Sequence, residues 1–470
     1  MARPIHFVSL GCPKNRVDSE VMLGVAEGEG FTHVADPAEA EIIVVNTCGF
    51  IESAKEESIE TIIELGQYKQ NGNCRKLIVT GCLSQRYPEE LAEGLPEVDH
   101  FLGSSDMLKL KPLLKESGPR ILVGNPADWV VGASDPRRIS TRGASAYVKI
   151  AEGCNRTCSF CVIPQLRGKQ RSRLIADVVS EVQQLVQAGT LEVNLVSQDT
   201  IAYGRDLKNG EDLAALIKAV ADVPGLRWLR VFYLYPEKLT DDIIDLMASH
   251  PKIVPYIDMP LQHAADGMLR RMRRGHGGER LRQLVERIRT RIPNVVFRTA
   301  FIVGHPGETE EEFEELVEFV KWARFDRVGV FTYSDEPTCH SYTFEDKVPP
   351  EVAQERAQYL MDVQREISLE RNEAMVGRTV EVLVEGPSED SELIMQGRWS
   401  GQAPDIDGVV YISRGPVYPG RIYTCTVEQA TEYDLVVDAG ELDEEDLSAA
   451  PTHTAIRHRG SDGRVVLRTV

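Results

Sequence analysis

Cys154, Cys158 and Cys161 lie in the run Glu-Gly-Cys-Asn-Arg-Thr-Cys-Ser-Phe-Cys-Val-Ile-Pro-Gln (residues 152–165), spaced for metal chemistry with no fourth thiol beside them. A structural zinc site closes its tetrahedron with four protein ligands and has no use for a vacancy. A four-iron, four-sulfur cluster held by three thiolates keeps one iron open to a small chelator. A loop this short can wrap three corners of one such cube. The alternative is a zinc knuckle whose fourth ligand, such as His263 or His276, comes from afar.

A second trio is dispersed. Cys12, Cys48 and Cys82 each follow a short apolar, β-rich run, at residues 5–10, 41–46 and 76–80, which reads as a buried strand. Residues 15–29 and 51–70 between them carry helical patterns rich in Glu and Ala. Alternating strand and helix implies a parallel sheet, whose ligands gather outside the carboxyl ends of the strands. Successive cysteines stand about 35 residues apart, one βα unit per thiol. The three would therefore meet at one edge of the sheet as a second three-thiolate site. One buried cysteine alone is ordinary; three at equivalent positions are not. Cys74, Cys339 and Cys425 follow no such pattern and read as structural.

The elements that must position these thiols fill a chain of 470 residues, long enough for roughly three domains. Hydrophobic content of 42% with 27% charged residues is that of globular protein. No apolar run reaches the ~18 residues of a membrane helix, and residues 1–10 are too short and too weakly basic for a signal peptide. A cytoplasmic protein is expected, with its nine cysteines reduced. A formal charge of -20 disfavours a large nucleic-acid footprint and favours a basic partner.

After a Pro-, Gly- and Arg-containing linker at 128–146, apolar runs recur at 147–150, 193–197, 228–234, 256–259, 296–303 and 327–333. Amphipathic segments such as 177–187, 212–221, 241–249 and 310–321 separate them. Six βα units suggest a partial barrel with its chemistry at the carboxyl-end loops. Cys154 sits just past the first strand, and Gln198-Asp199, Gln262-His263 and Glu308 lie at later strand ends. The basic run Leu269–His276 reads as a solvated helix face, or as a contact for phosphates or an acidic group. A helical pattern from Pro350 to about residue 375 then leads into five short alternating segments, at 379–384, 393–399, 408–412, 421–428 and 434–437, which suggest a small β-barrel.

The C-x3-C-x2-C loop resembles that of the radical S-adenosylmethionine (SAM) superfamily, in which SAM fills the open iron. Ser9-Leu10-Gly11-Cys12-Pro13-Lys14-Asn15, Asn46-Thr47-Cys48-Gly49-Phe50-Ile51 and Thr80-Gly81-Cys82-Leu83 resemble the cluster motifs of the methylthiotransferase family. The Cys-Pro-Lys-Asn and Cys-Gly-Phe-Ile wording is similar to the branch that modifies a ribosomal protein. The resemblance covers nearly the whole chain. It implies a multidomain α/β protein: an N-terminal parallel α/β domain (3–120), a central partial (βα)6 TIM-like radical SAM barrel (140–372), and a C-terminal five-stranded TRAM β-barrel (375–441). Residues 442–470 are expected to form a disordered tail.

That resemblance implies two 4Fe-4S clusters, on Cys12, Cys48 and Cys82 and on Cys154, Cys158 and Cys161, with SAM bound at the second. The superfamily often has Gly-Gly-Glu after the second strand; Ser197-Gln198-Asp199 stands there instead, which makes Asp199 the candidate for the SAM amine. Gln262, His263 and Glu308 are further candidates, although Glu308 with Thr309 would equally cap the next helix. Loop 334–340 departs from the Gly-containing wording expected after the last strand.

The implied reaction is methylthiolation of the β-carbon of an aspartate in protein twelve of the small ribosomal subunit, free or assembled. Such a C–H bond has no accessible acidic proton, so a radical is the sensible route. An electron donor such as flavodoxin or ferredoxin and a sulfur carrier would be needed. Composition bears on the substrate independently. Residues 373–440 hold twelve Asp or Glu against four Arg, a net of -8, which repels RNA and attracts a Lys/Arg-rich protein. Dedicated tRNA binding is therefore not expected, though acidity can also serve solubility alone. The competing readings are a tRNA adenosine methylthiotransferase of the same architecture, and a non-enzymatic iron-sulfur or zinc protein that binds ribosomes.

Overall fold

The computed structural model describes residues 3–115, 118–389 and 391–440. The tail expected at 442–470 lies outside the described residues.

The first module is a six-stranded, all-parallel sheet. Its strands are β1 (Arg3–Ser9), β2 (Phe31–His33), β3 (Ile42–Thr47), β4 (Lys76–Gly81), β5 (His100–Leu102) and β6 (Ile121–Leu122), in the order β2-β1-β3-β4-β5-β6. Both faces are covered, as a parallel sheet requires. Ile42 and Val44 of β3 face a core with Val17 and Val21 of α1 (Pro13–Gly28), while Ile43 and Val45 face one with Ile62 of α2 (Glu52–Gly66). β1, β3 and β4 are the strands expected before the cysteines. β2, β5 and β6 escape the sequence reading because two or three residues are too few to show a period.

The second module has six parallel strands: β7 (Ser145–Lys149), β8 (Glu192–Val196), β9 (Trp228–Val231), β10 (Tyr256–Asp258), β11 (Val296–Val303) and β12 (Arg327–Thr332). They form two ladders, β9-β8-β7 and β10-β11-β12, linked by a parallel bridge between Leu229 and Ile253. This is the partial barrel expected. The third module is a closed barrel of β13 (Thr379–Pro387), β14 (Met395–Trp399), β15 (Val410–Arg414), β16 (Ile422–Ala430) and β17 (Leu435–Asp438), in the order β13-β14-β15-β17-β16. Val382, Val384, Val410, Val427 and Leu435 fill its centre with Cys425, which gives that thiol a packing role.

The modules are bolted together by buried charge. Glu192 of β8 accepts from Arg230 at 3.1 Å and from Arg398 of β14 at 2.6 Å, with all three side chains at most 2% exposed. The stretch 128–146, expected as a linker, is instead a strap across α1. Arg137 reaches Glu20 at 2.6 Å, the Ser140 amide donates to Glu20 at 2.8 Å, and a Cβ on Gly24 would lie 2.6 Å from the Arg137 nitrogen. Among the described residues no helix is long and apolar enough to cross a membrane.

Candidate functional site

Cys12 occupies the N-cap of α1, Cys48 follows β3, and Cys82 opens the short helix after β4. All three thus stand at carboxyl ends of neighbouring parallel strands. Their loops touch. Gly11 has φ +86°, and a Cβ there would stand 2.9 Å from the Cβ of Cys48; one on Gly49 would stand 2.8 Å from the Cα of Leu83. Only glycine lets the three loops close to this distance. Asn15 locks them further, its Nδ2 donating to the carbonyls of Leu10 and Thr47, both at 3.0 Å. Burial, then the nearness of Cys82 and Cys12, pushes the Cys48 thiol up to about 12.

The central trio is built the same way. Gly153 has φ +83°, and a Cβ on it would lie 2.3 Å from the Lys169 carbonyl oxygen. The Cys154 amide donates to the Gly168 carbonyl at 3.1 Å, and the Cys161 amide to the Cys158 carbonyl at 3.3 Å. Burial pushes the Cys154 thiol up to about 11; burial, then Cys158, raises that of Cys161. Donors already point at the sulfurs: the Arg156 amide at Cys154 Sγ (3.4 Å) and Arg274 Nη1 at Cys158 Sγ (3.4 Å). Such donors suit thiolates, which the neutral thiols become on releasing protons to a metal. Among the described residues no three His, Cys, Asp or Glu side chains converge tightly enough for a single ion. A four-iron cube takes thiolates that stand further apart than the ligands of one zinc. The donor sets fit such clusters.

Asp199 is buried beside the central loop. Its Oδ2 accepts from Arg156 Nε at 2.6 Å, while its buried Oδ1 has no hydrogen-bond partner. His263 and Glu308 meet each other. His263 Nδ1 accepts from the Ala265 amide at 3.0 Å, so Nε2 carries the proton it donates to Glu308 at 3.1 Å. Glu308 also accepts from the Gly304 amide (2.6 Å) and from Arg356 (2.7 Å). The helix cap is made by Thr309 with Glu312, not by Glu308. Gln262 adopts φ +74°, with its backbone bridging to Phe301. The basic run is not one solvated face: Arg271 pairs with Glu312, Arg274 is buried against Cys158, and Arg270 and Arg273 are exposed.

Residues 4–103 match the Uncharacterized protein family UPF0004, residues 148–320 the Radical SAM superfamily, and residues 376–439 the TRAM domain. A protein of Sorangium cellulosum (strain So ce56) named ribosomal protein uS12 methylthiotransferase RimO is 61% identical, covering 98% of this chain and 99% of its own. The chain belongs to the ribosomal protein uS12 methylthiotransferase family. A relative of the same name from Anaeromyxobacter sp. (strain K) is 51% identical over 93% of each chain. The solved radical S-adenosylmethionine methyltransferase TsrM from Kitasatospora setae shares the fold, with TM-score 0.52 and 17% identity over 71% of this chain and 75% of that one. Membership makes this chain a radical SAM enzyme, and the superfamily implies SAM and a 4Fe-4S cluster.

Arg167, which no motif in the sequence marks, joins the two thiol sets. It lies on the short helix Ile163–Arg167 after the central cysteine loop and is 2% exposed. Its Nε donates to Cys82 Sγ at 3.3 Å and its Nη1 to Asp18 at 2.8 Å. Lys149 bridges Asp18 to Glu152. Against the penalty of burial, Lys149 and then Arg167 hold the Glu152 carboxyl down at about 2. Cys339, read as structural, packs with Cys82, Val162 and Leu166 in the apolar wall between the two trios.

Proposed function

We propose that this enzyme places a methylthio group on the β-carbon of an aspartate in ribosomal protein uS12, working in the cytoplasm. One observation carries the reading: Arg167, on the helix that follows the central thiol loop, donates to Cys82 Sγ at 3.3 Å and pairs with Asp18, which brings the two three-thiol sets together across the module boundary. When bound, SAM with a cluster on Cys154, Cys158 and Cys161 supplies radical chemistry, and a second cluster on Cys12, Cys48 and Cys82 supplies the sulfur.

The chain's own residues do the rest. The raised thiols of Cys48, Cys82, Cys154 and Cys161 give up protons on loading. The free Oδ1 of Asp199 accepts the SAM amine. Gln262 and the His263–Glu308 brace shape the remaining wall, with the neutral imidazole fixed in one tautomer by the Ala265 amide. Arg274 and Arg156 hold the central loop closed over the aromatic face of Tyr235, at 4.0 and 3.6 Å from its centroid.

The uS12 assignment draws on the relatives' names and on the acid-rich third module, which suits a basic protein better than tRNA. The reaction also needs a one-electron donor such as flavodoxin or ferredoxin, and a sulfur carrier. Mass spectrometry of ribosomal proteins and tRNA from a strain lacking this chain tests the reading. A methylthio mass lost from uS12 is expected; a methylthio group lost from tRNA, with uS12 unchanged, would overturn it.

A further inference from the structure

Lys14 is a buried cation that, among the described residues, forms no salt bridge to a carboxylate. It sits in the first turn of α1, two residues past Cys12, and is 8% exposed. A buried ammonium is costly unless paired, and its buried neighbours obey that rule. Lys149 holds Asp18 and Glu152, Arg167 holds Asp18, and Arg137 holds Glu20 and Glu181. The Lys14 ammonium instead lies 3.4 Å from the ring centroid of Tyr233, whose side chain also hydrogen-bonds it, with Cys12 and Asp258 adding nearby negative charge and no ion pair among the described residues. A ring face stabilises a cation without neutralising it, so beside the nearby charge of Cys12 and Asp258 part of the ammonium's charge stays available to a ligand. The amino-terminal end of α1 adds partial positive charge at the same place.

The position matters as much as the charge. Tyr233 lies just past the carboxyl end of β9 and is held at φ +56°, a conformation a bulky residue keeps only when its surroundings impose it. Its amide donates to Asp258 at 2.9 Å, and its carbonyl accepts from the Thr200 amide at 3.3 Å. Two residues on, the Tyr235 ring lies against Arg156 and Arg274, whose N–H groups point at Cys154 and Cys158. The segment Tyr233–Tyr235 therefore touches the surroundings of both thiol sets, with Lys14 on its Cys12 side.

Resting on the reading that an aspartate is the acceptor, we propose that Lys14 receives the side-chain carboxylate of that aspartate and so sets the enzyme's specificity for an acidic residue. In aspartate the β-carbon is one bond from the carboxylate carbon. Fixing the carboxylate on Lys14 fixes the reacting carbon between the two trios. An adenine base offers no anion at the matching position, so the same lysine disfavours it.

The test is equilibrium binding of the full chain, with both clusters reconstituted, to uS12 peptides carrying Asp, Asn or Ala at the acceptor position. Wild type is expected to bind the Asp peptide about ten-fold or more tighter than the Asn peptide, the size of one charge-assisted contact. Lys14→Met removes that preference and Lys14→Arg retains it. Should Lys14→Met fail to load iron, Lys14→Gln makes the same comparison with a polar side chain of similar length. Equal binding of Asp and Asn peptides by wild type, or an undiminished preference in the neutral variant, overturns the role of Lys14. Either result leaves the uS12 reading standing if uS12 is still modified in cells. Loss of that modification is the separate test of the reading itself.

Discussion

Arg167 donates to Cys82 Sγ at 3.3 Å and to Asp18 at 2.8 Å, so one buried guanidinium from the central loop's own helix reaches the far thiol set. The contact makes the two sites one mechanical unit: moving the central helix moves a thiol of the other trio. It also sets a positive charge beside a sulfur that would become a thiolate on holding a cluster, opposing the burial that raises the Cys82 thiol.

Replacing Arg167 by Met is expected to cost roughly 3–5 kcal/mol, the usual penalty for removing one partner of a buried charge network. Thermal unfolding would read the loss, and iron per chain should fall through the N-terminal trio. Lys at this position keeps the charge but cannot fork to Cys82 and Asp18 together, so it should recover only part. Unchanged melting and iron content in Arg167→Met would contradict the linkage.

The two trios are expected to fail differently. Cys158→Ala should abolish SAM cleavage, whereas Cys48→Ala should leave deoxyadenosine formation intact and stop thiolation. About eight irons per chain are expected with both sets loaded, and about four in either variant. Thiolation retained in either variant would refute the division of labour.

What was legible in the sequence followed from periodicity and spacing. β1, β3 and β4 carry continuous apolar runs, each followed by a cysteine one βα unit from the next, so cysteines some 35 residues apart could be brought to one sheet edge. What stayed hidden is partnership between distant residues. Arg167 is one arginine in a basic stretch, and nothing local tells that it is buried against Asp18 while Arg171 reaches a loop carbonyl. Arg273 and Arg274 are adjacent, yet a residue at φ +55° turns the chain so that one is exposed and the other meets Cys158. The strap at 128–146 has linker composition, and it takes partners far off in the sequence, Glu20 more than a hundred residues earlier among them, to show why it is fixed.

Glu192 gives the fold an acid limit. Burial alone would raise its carboxyl, but Arg398 and Arg230 hold it down at about 2 against the ordinary 4.5. A depressed folded value means that this stabilisation is fully present above pH about 4.5 and is lost as the pH falls toward 2, in all roughly 3 kcal/mol. Glu192→Gln should lower stability already at neutral pH and flatten the acid limb between those values. Denaturant midpoints measured across that range check it, and an unaltered acid limb would dismiss the role of Glu192.

The third module's charge carries the last expectation. Not all of its acids are free for a partner: Glu385 holds Arg398, Asp405 lies 3.5 Å from Arg16, and Asp407 accepts from Tyr256 at 2.7 Å. Glu392 and Glu428 point outward and are available to a basic surface. Exposed charges act over about 10 Å at 0.1 M salt and are individually worth less than about 1 kcal/mol. Changing both to Lys should therefore weaken binding of a uS12 peptide a few-fold at low salt, make its salt dependence shallower, and have little effect once salt screens the field. The wild-type chain should retain no tRNA under the same conditions. A tRNA complex that dissociates steeply with salt would instead mean that the acidic barrel is a bystander and that another face of the enzyme recognises its substrate.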